Sequence, residues 1–153
     1  MTDTHDVDTD VRELRRARAR LEVDRLDYVR LLRKTAQVRS QLVLAGTLKM
    51  SQAAVSKQLS RAQAVPDPLP GFSGASPYEI AQRHAAGELD HAQVVDELGR
   101  WPYDATATSD GWDTLIVDAP GTHTFDEVVR ALDEDLIDED TYDEVIRRLQ
   151  ANG

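Results

Sequence analysis

An all-α fold in two parts is predicted by three features of the chain. Apolar residues recur at helical spacing along most of it, and a proline- and glycine-rich stretch divides it near the middle. Charge also changes sign across that stretch. The first 65 residues hold 13 Lys+Arg against 8 Asp+Glu, whereas residues 66–153 hold 5 against 20. A basic half followed by an acidic half points to nucleic acid at one end and a cationic partner at the other, or to two solvated surfaces of opposite sign. At 153 residues there is room for one medium domain or two small ones. With no cysteine, neither a disulfide nor a thiolate zinc site is available. No apolar run approaches the roughly 18 residues of a membrane span, and MTDTHDVDTD is acidic and polar, so a soluble, cytoplasmic protein is expected.

Residues 1–10 are expected to form a disordered acidic tail, followed by a DNA-binding domain over 11–65. The first helix is predicted from about Asp10 to Arg33. Asp10-x-x-Glu13 reads as a capping box, and Leu14, Leu21 and Tyr28 recur at heptad spacing with Ala17 and Leu31 between them. Asp24 and Arg25 interrupt that seam, which leaves two roles open: packing within its own domain, or forming the contact of a homodimer. A second helix is predicted over about Thr35–Ala45, a turn at Gly46–Met50, and a third helix over Ser51–Ala64. AVPDPLPGFSGA (64–75) cannot continue a helix and reads as a semi-extended linker, with the boundary at 66–75.

The acidic half, 76–150, contains a repeat with an offset of 48. Ser76-Pro77-Tyr78-Glu79 and Thr124-Phe125-Asp126-Glu127 both read as capping boxes, and Asp90 and Asp138 follow each cap at the same interval. Two helical hairpins are predicted, about 77–99 and 125–150, with tight turns at Ala86-Gly87-Glu88 and Glu134-Asp135-Leu136. Neither is long enough to bury a core alone, so the copies should pack on each other or on a partner. Between them, Thr114–Val117 has strand composition, which leaves a short β-hairpin or an ordered loop pinned by Trp101 and Trp112.

The motif that carries chemistry lies in the stretch from Tyr28 to Val65, which has no acid and seven cations. A helix-turn-helix needs a small residue where its helices cross, and Ala45 stands there. Val55 and Leu59 supply the inward stripe of the second helix, and Met50 plugs the turn. What remains outside is Ser51, Gln52, Ala53, Ser56, Lys57, Ser60 and Arg61: short and amide side chains in front, cations behind. A helix in the major groove uses the first to read base edges and the second to hold phosphates.

QLVLAGTLKMSQAAVSKQLSRA (41–62) resembles the helix-turn-helix of bacterial regulators and of the promoter-reading region of sigma factors. Ala45, Leu48, Met50, Ser51, Ala54, Val55, Leu59, Arg61 and Ala62 fall on matching places, and Lys49 stands where that pattern has its turn glycine. SPYEIAQRHAAGELDHAQVVDEL is similar to short helical segments at the ends of antitoxins, the Fic type being nearest. The inhibitory [ST]-x-x-x-E-[GN] signature is absent, so no toxin class follows.

Enzyme chemistry finds no support. The histidines are scattered, no phosphate-cradling glycine loop occurs, and the acid run 133–140 places Asp138 where a calcium loop needs glycine. No catalytic residue, metal or cofactor is expected. The expected function is that of a sequence-specific regulator, an antitoxin-type autorepressor. Arg39, Lys49, Lys57 and Arg61 would contact phosphates of an operator duplex, with Ser51, Gln52, Ala53 and Ser56 nearest the bases. The acidic half would bind a protein partner, a cognate toxin, through Tyr78, Val94, Leu98, Trp101, Tyr142 and Ile146. The alternatives are an adaptor without DNA binding and a non-specific DNA-binding protein.

Overall fold

The computed structural model describes residues 4–104 and 123–153, with side chains from Val7 onward. The candidate strand, Trp112 and the interhairpin loop lie outside the described residues. Among those described are seven α-helices and no strand, in two compact units, Met1–Pro68 and Leu69–Gly153.

In the first unit, α1 runs Thr4–Ala36. It begins six residues before Asp10, so Asp10-x-x-Glu13 lies inside the helix and caps nothing, and the expected disordered tail is helical from Thr4. At the other end the Thr35 hydroxyl donates to the Leu31 carbonyl, which keeps Thr35 in α1 instead of starting the next helix. The start passes to Ser40, whose hydroxyl accepts from the Val43 N–H at 3.3 Å, and α2 spans Gln41–Leu48. α3 spans Gln52–Ala62, with Ser51 as its N-cap. Leu32, Leu44, Ala45 and Val55 are buried together, with Leu48, Met50 and Leu59 packed against them.

The proline-rich stretch is no free tether. Its first part belongs to the first unit. Arg33 donates to the carbonyls of Ala62 and Val65 and pairs with Asp67, and Arg30 donates to the Pro66 carbonyl at 2.9 Å. These two cations satisfy carbonyls at and beyond the end of α3, where the helix leaves acceptors without partners.

Its second part belongs to the second unit. Residues 69–74 close a turn, in which the Leu69 N–H donates to the Gly74 carbonyl and that of Phe72 to Leu69. The Phe72 ring meets Trp101 edge-on at 4.8 Å. Two buried glutamates hold this segment: Glu97 accepts from the Ser73 N–H, and Glu79 accepts from that of Ala75 at 2.9 Å.

The second unit consists of α4 (Pro77–Ala85), α5 (His91–Arg100), α6 (Asp126–Asp133) and α7 (Glu139–Ala151). The two hairpins pack copy against copy, α4 on α6 and α5 on α7. Their core holds Ile80, Val94, Leu98, Val128 and Val145, all fully buried. The repeat extends to backbone conformation, since Gly87 (φ 89°) and Asp135 (φ 58°) are equivalent turn residues and both are left-handed. Asp90 and Asp138 cap α5 and α7 as expected.

The two opening caps do not match. Ser76 caps α4, but its Glu79 turns to Ala75 and to Arg83, so the box is not closed. Thr124 makes no side-chain cap, and α6 begins at Asp126 while Glu127 takes the His123 ring at 2.7 Å.

Candidate nucleic-acid interface

The helix-turn-helix rests on how the chain passes from α2 to α3. α2 ends at Leu48 and Lys49 adopts φ 57°, ψ 42°. The N–H groups of Lys49 and Met50 both reach the Ala45 carbonyl, the latter at 3.0 Å. This left-handed cap reverses the chain in three residues, Lys49–Ser51. Lys49 thus performs the glycine's role with a side chain, at a cost on the order of 1 kcal/mol. Gly46, the sequence's other candidate for relaxing the turn, lies inside α2, and a Cβ there would meet nothing within 4 Å. Ala45 is buried at the crossing, as a small residue there should be.

α3 divides cleanly into faces. Val55 and Ala62 are fully buried, and Ala54, Gln58 and Leu59 are half-buried, with Gln58 accepting from the Tyr28 hydroxyl at 2.9 Å. Gln52, Ala53, Ser56, Lys57, Ser60 and Arg61 are exposed, as are Arg39, Lys49 and Ser51. The outward six recur as adjacent pairs one turn apart, which places them along one side of the helix. Ser51 is the polar cap that the second helix needs after the turn, as expected. Its oxygen accepts from the Ala54 N–H at 3.1 Å, so it holds the helix start and keeps its proton and one lone pair for a ligand.

Neither α2 nor α3 has an acid in its first turn. Of the seven cations in the acid-free stretch, Arg30 and Arg33 are committed to the 62–67 backbone and Asp67. Lys34, Arg39, Lys49, Lys57 and Arg61 are exposed. Sequence reasoning missed the structural use of the two arginines. Their position, one helical turn apart on α1 opposite a proline-terminated helix, was the available signal.

The residues expected to bind a partner fall elsewhere. Val94 and Leu98 are fully buried and Trp101 is 5% exposed, so these three are core and cannot form a docking face on the folded unit. Their aliphatic and aromatic character, at helical spacing, served the packing of one copy on the other. Tyr78 joins the two hairpins, with its hydroxyl on Glu134 and its ring under Arg130 at 4.1 Å. Tyr142 and Ile146 are half-buried, Tyr142 lying 5.8 Å from Phe125. The outer surface of this unit is instead carboxylate: Asp126, Asp133, Glu139, Asp140 and Asp143 are exposed.

Titration and ring placement follow the packing. Burial and the nearby Glu127 push the Tyr103 phenol well above its ordinary range, and its hydroxyl donates to the Leu98 carbonyl at 2.6 Å. Hydrogen bonds from Thr141, side chain and then backbone, hold Asp138 below the usual carboxylate range. His84 and His91 turn to different partners, the Leu89 carbonyl and the Thr141–Glu144 pair, so the two do not face one ligand.

Comparisons with protein-family models, with curated proteins and with solved structures each return no match. Among the described residues, no helix is long and apolar enough to cross a membrane.

Proposed function

We propose that this chain is a sequence-specific DNA-binding regulator that inserts the outer side of α3 into the major groove. One observation carries the reading. α3 keeps Val55 and Ala62 inside while Gln52, Ala53, Ser56, Lys57, Ser60 and Arg61 share its exposed side. In this arrangement Gln52 offers an amide to a base edge, its best partner being adenine, and Ala53 offers a methyl to thymine. Arg39, Lys49, Lys57 and Arg61 hold phosphates and set the register. The acidic second unit takes a cationic protein partner on its carboxylate surface, and an antitoxin repressing its own operon combines the two activities. The protein acts from the cytoplasm and carries out no catalysis.

The test is a fluorescence titration of the full chain with the duplex upstream of its own gene, against a scrambled duplex of equal length. The proposal expects at least a hundredfold preference, which Gln52→Ala reduces by about 1–3 kcal/mol. Equal affinity for both duplexes supports non-specific binding instead. No retention at low salt supports the adaptor.

A further inference from the structure

One surface remains unexplained by the helix-turn-helix. α1 has 33 residues and is about 50 Å long. Its amino-terminal part and one side beyond carry an uncovered apolar stripe. Leu14 is 71% exposed, Leu21 72% and Leu31 63%, and Val7, Val11 and Tyr28 are exposed beside them. Leu14, Leu21 and Tyr28 form one line of a heptad seam, and Val11, Arg18 and Arg25 form the other. Folded monomers rarely leave large apolar side chains recurring in water along such a length of helix.

We propose that α1 pairs with α1 of a second copy of this chain, antiparallel, about an axis near Arg18–Leu21. Charge selects both the occupant and the direction. In a parallel pair, Arg18 would face Arg18 and Arg25 would face Arg25 across the seam, two like-charge contacts, the second with Glu22 of its own helix beside it. In the antiparallel pair, Arg18 lies against Leu21 of the second copy and Arg25 against its Leu14. Their aliphatic stems cover the leucines and their guanidinium groups reach water. Val11 then meets Tyr28.

The flanks agree with this direction. Residues 12–20 carry five arginines against one glutamate, and residues 22–27 carry three carboxylates against Arg25. Reversal lays each block on its opposite, with Arg15 beside Glu22 of the other copy. Glu22 sits on the surface, 3.5 Å from Arg25 in an ion pair with both side chains at least half exposed, a contact that exchanges partners readily. Parallel pairing lays each block on its like. A stripe made for an unrelated partner would have no reason to be complementary to its own reverse.

The pairing stands apart from the DNA-binding reading and is tested without DNA. The chain has no cysteine, so introduced thiols report unambiguously. Leu14→Cys and Arg25→Cys are made singly in the full chain, with circular dichroism checking that each folds, and treated with a short bis-maleimide alone and after co-expression. In the antiparallel pair, each thiol lies about 16 Å along the axis from its own copy, the rise of eleven residues, but beside the other variant's thiol. The wild type should therefore sediment as a dimer, each variant alone should stay uncrosslinked, and the co-expressed pair should link. Leu21→Glu should sediment as a folded monomer. Self-linking of Leu14→Cys, a monomeric wild type, or a dimer that Leu21→Glu leaves intact would each overturn the proposal.

Discussion

Lys49 occupies a backbone region, φ 57° and ψ 42°, in which a Cβ crowds the neighbouring carbonyl and glycine is the unstrained residue. Lys49→Gly should therefore stabilise the protein by about 0.5 kcal/mol in urea denaturation, after the greater freedom glycine gives the unfolded chain is deducted. On the proposed DNA-binding reading the same substitution removes a phosphate contact, so operator affinity should fall as stability rises. A variant that is both less stable and weaker in binding would show that the left-handed cap is not what Lys49 is strained by. Asp138 gives a second test at this scale. Hydrogen bonds from Thr141 lower its pKa, so the folded state binds the proton less readily than the unfolded chain. Its contribution is complete above its unfolded value, near 3.9, and is lost as pH falls through the lower folded value. Asp138→Ala should cost about 1 kcal/mol at pH 7, and the deficit relative to wild type should shrink in acid.

At the scale of elements, the contact between α5 and α7 is set by a glycine. A Cβ at Gly99 would lie 2.9 Å from the Arg148 Cβ, an atom that cannot move without its helix. Gly99→Ala should therefore destabilise by about 1–3 kcal/mol, read from the thermal midpoint, although alanine is the better helix former. Elements were legible in the sequence where a local signal had no competitor. Asp90 and Asp138 each precede a helix and cap it, and the offset of 48 carries the left-handed turn from Gly87 to Asp135. Local signals failed where a nearby group offered more. Ser40 displaced Thr35 as the start of α2, and Glu79 left its cap to hold Ala75 and Arg83. Val94, Leu98 and Trp101 were legible as apolar but not as inward, because a partner face and a packed repeat use the same residues at the same spacing. The outer side of α3 was legible in full, since Val55 and Leu59 fix which way that helix faces.

At the scale of the whole molecule, binding a polyanion with a chain of net charge −10 requires the cations to be local and the acids elsewhere. The acid-free α2–α3 region meets that condition. Affinity for duplex DNA should fall with salt on a log–log slope of about −0.9 for each phosphate neutralised, and Lys57→Ala should lower the slope's magnitude by about one for each copy bound. Removing a carboxylate of the second unit, as in Asp140→Asn, should leave that slope unchanged. The most direct measurement is a nitrogen–proton NMR titration of the full chain with the duplex upstream of its own gene. The account predicts that the amides of Gln52, Ala53, Ser56 and Lys57 shift at the lowest duplex concentrations, while those of Val94, Leu98 and Val145 stay in place. Shifts that spare α3 and appear only in the second unit, or no shift at low salt, would contradict it.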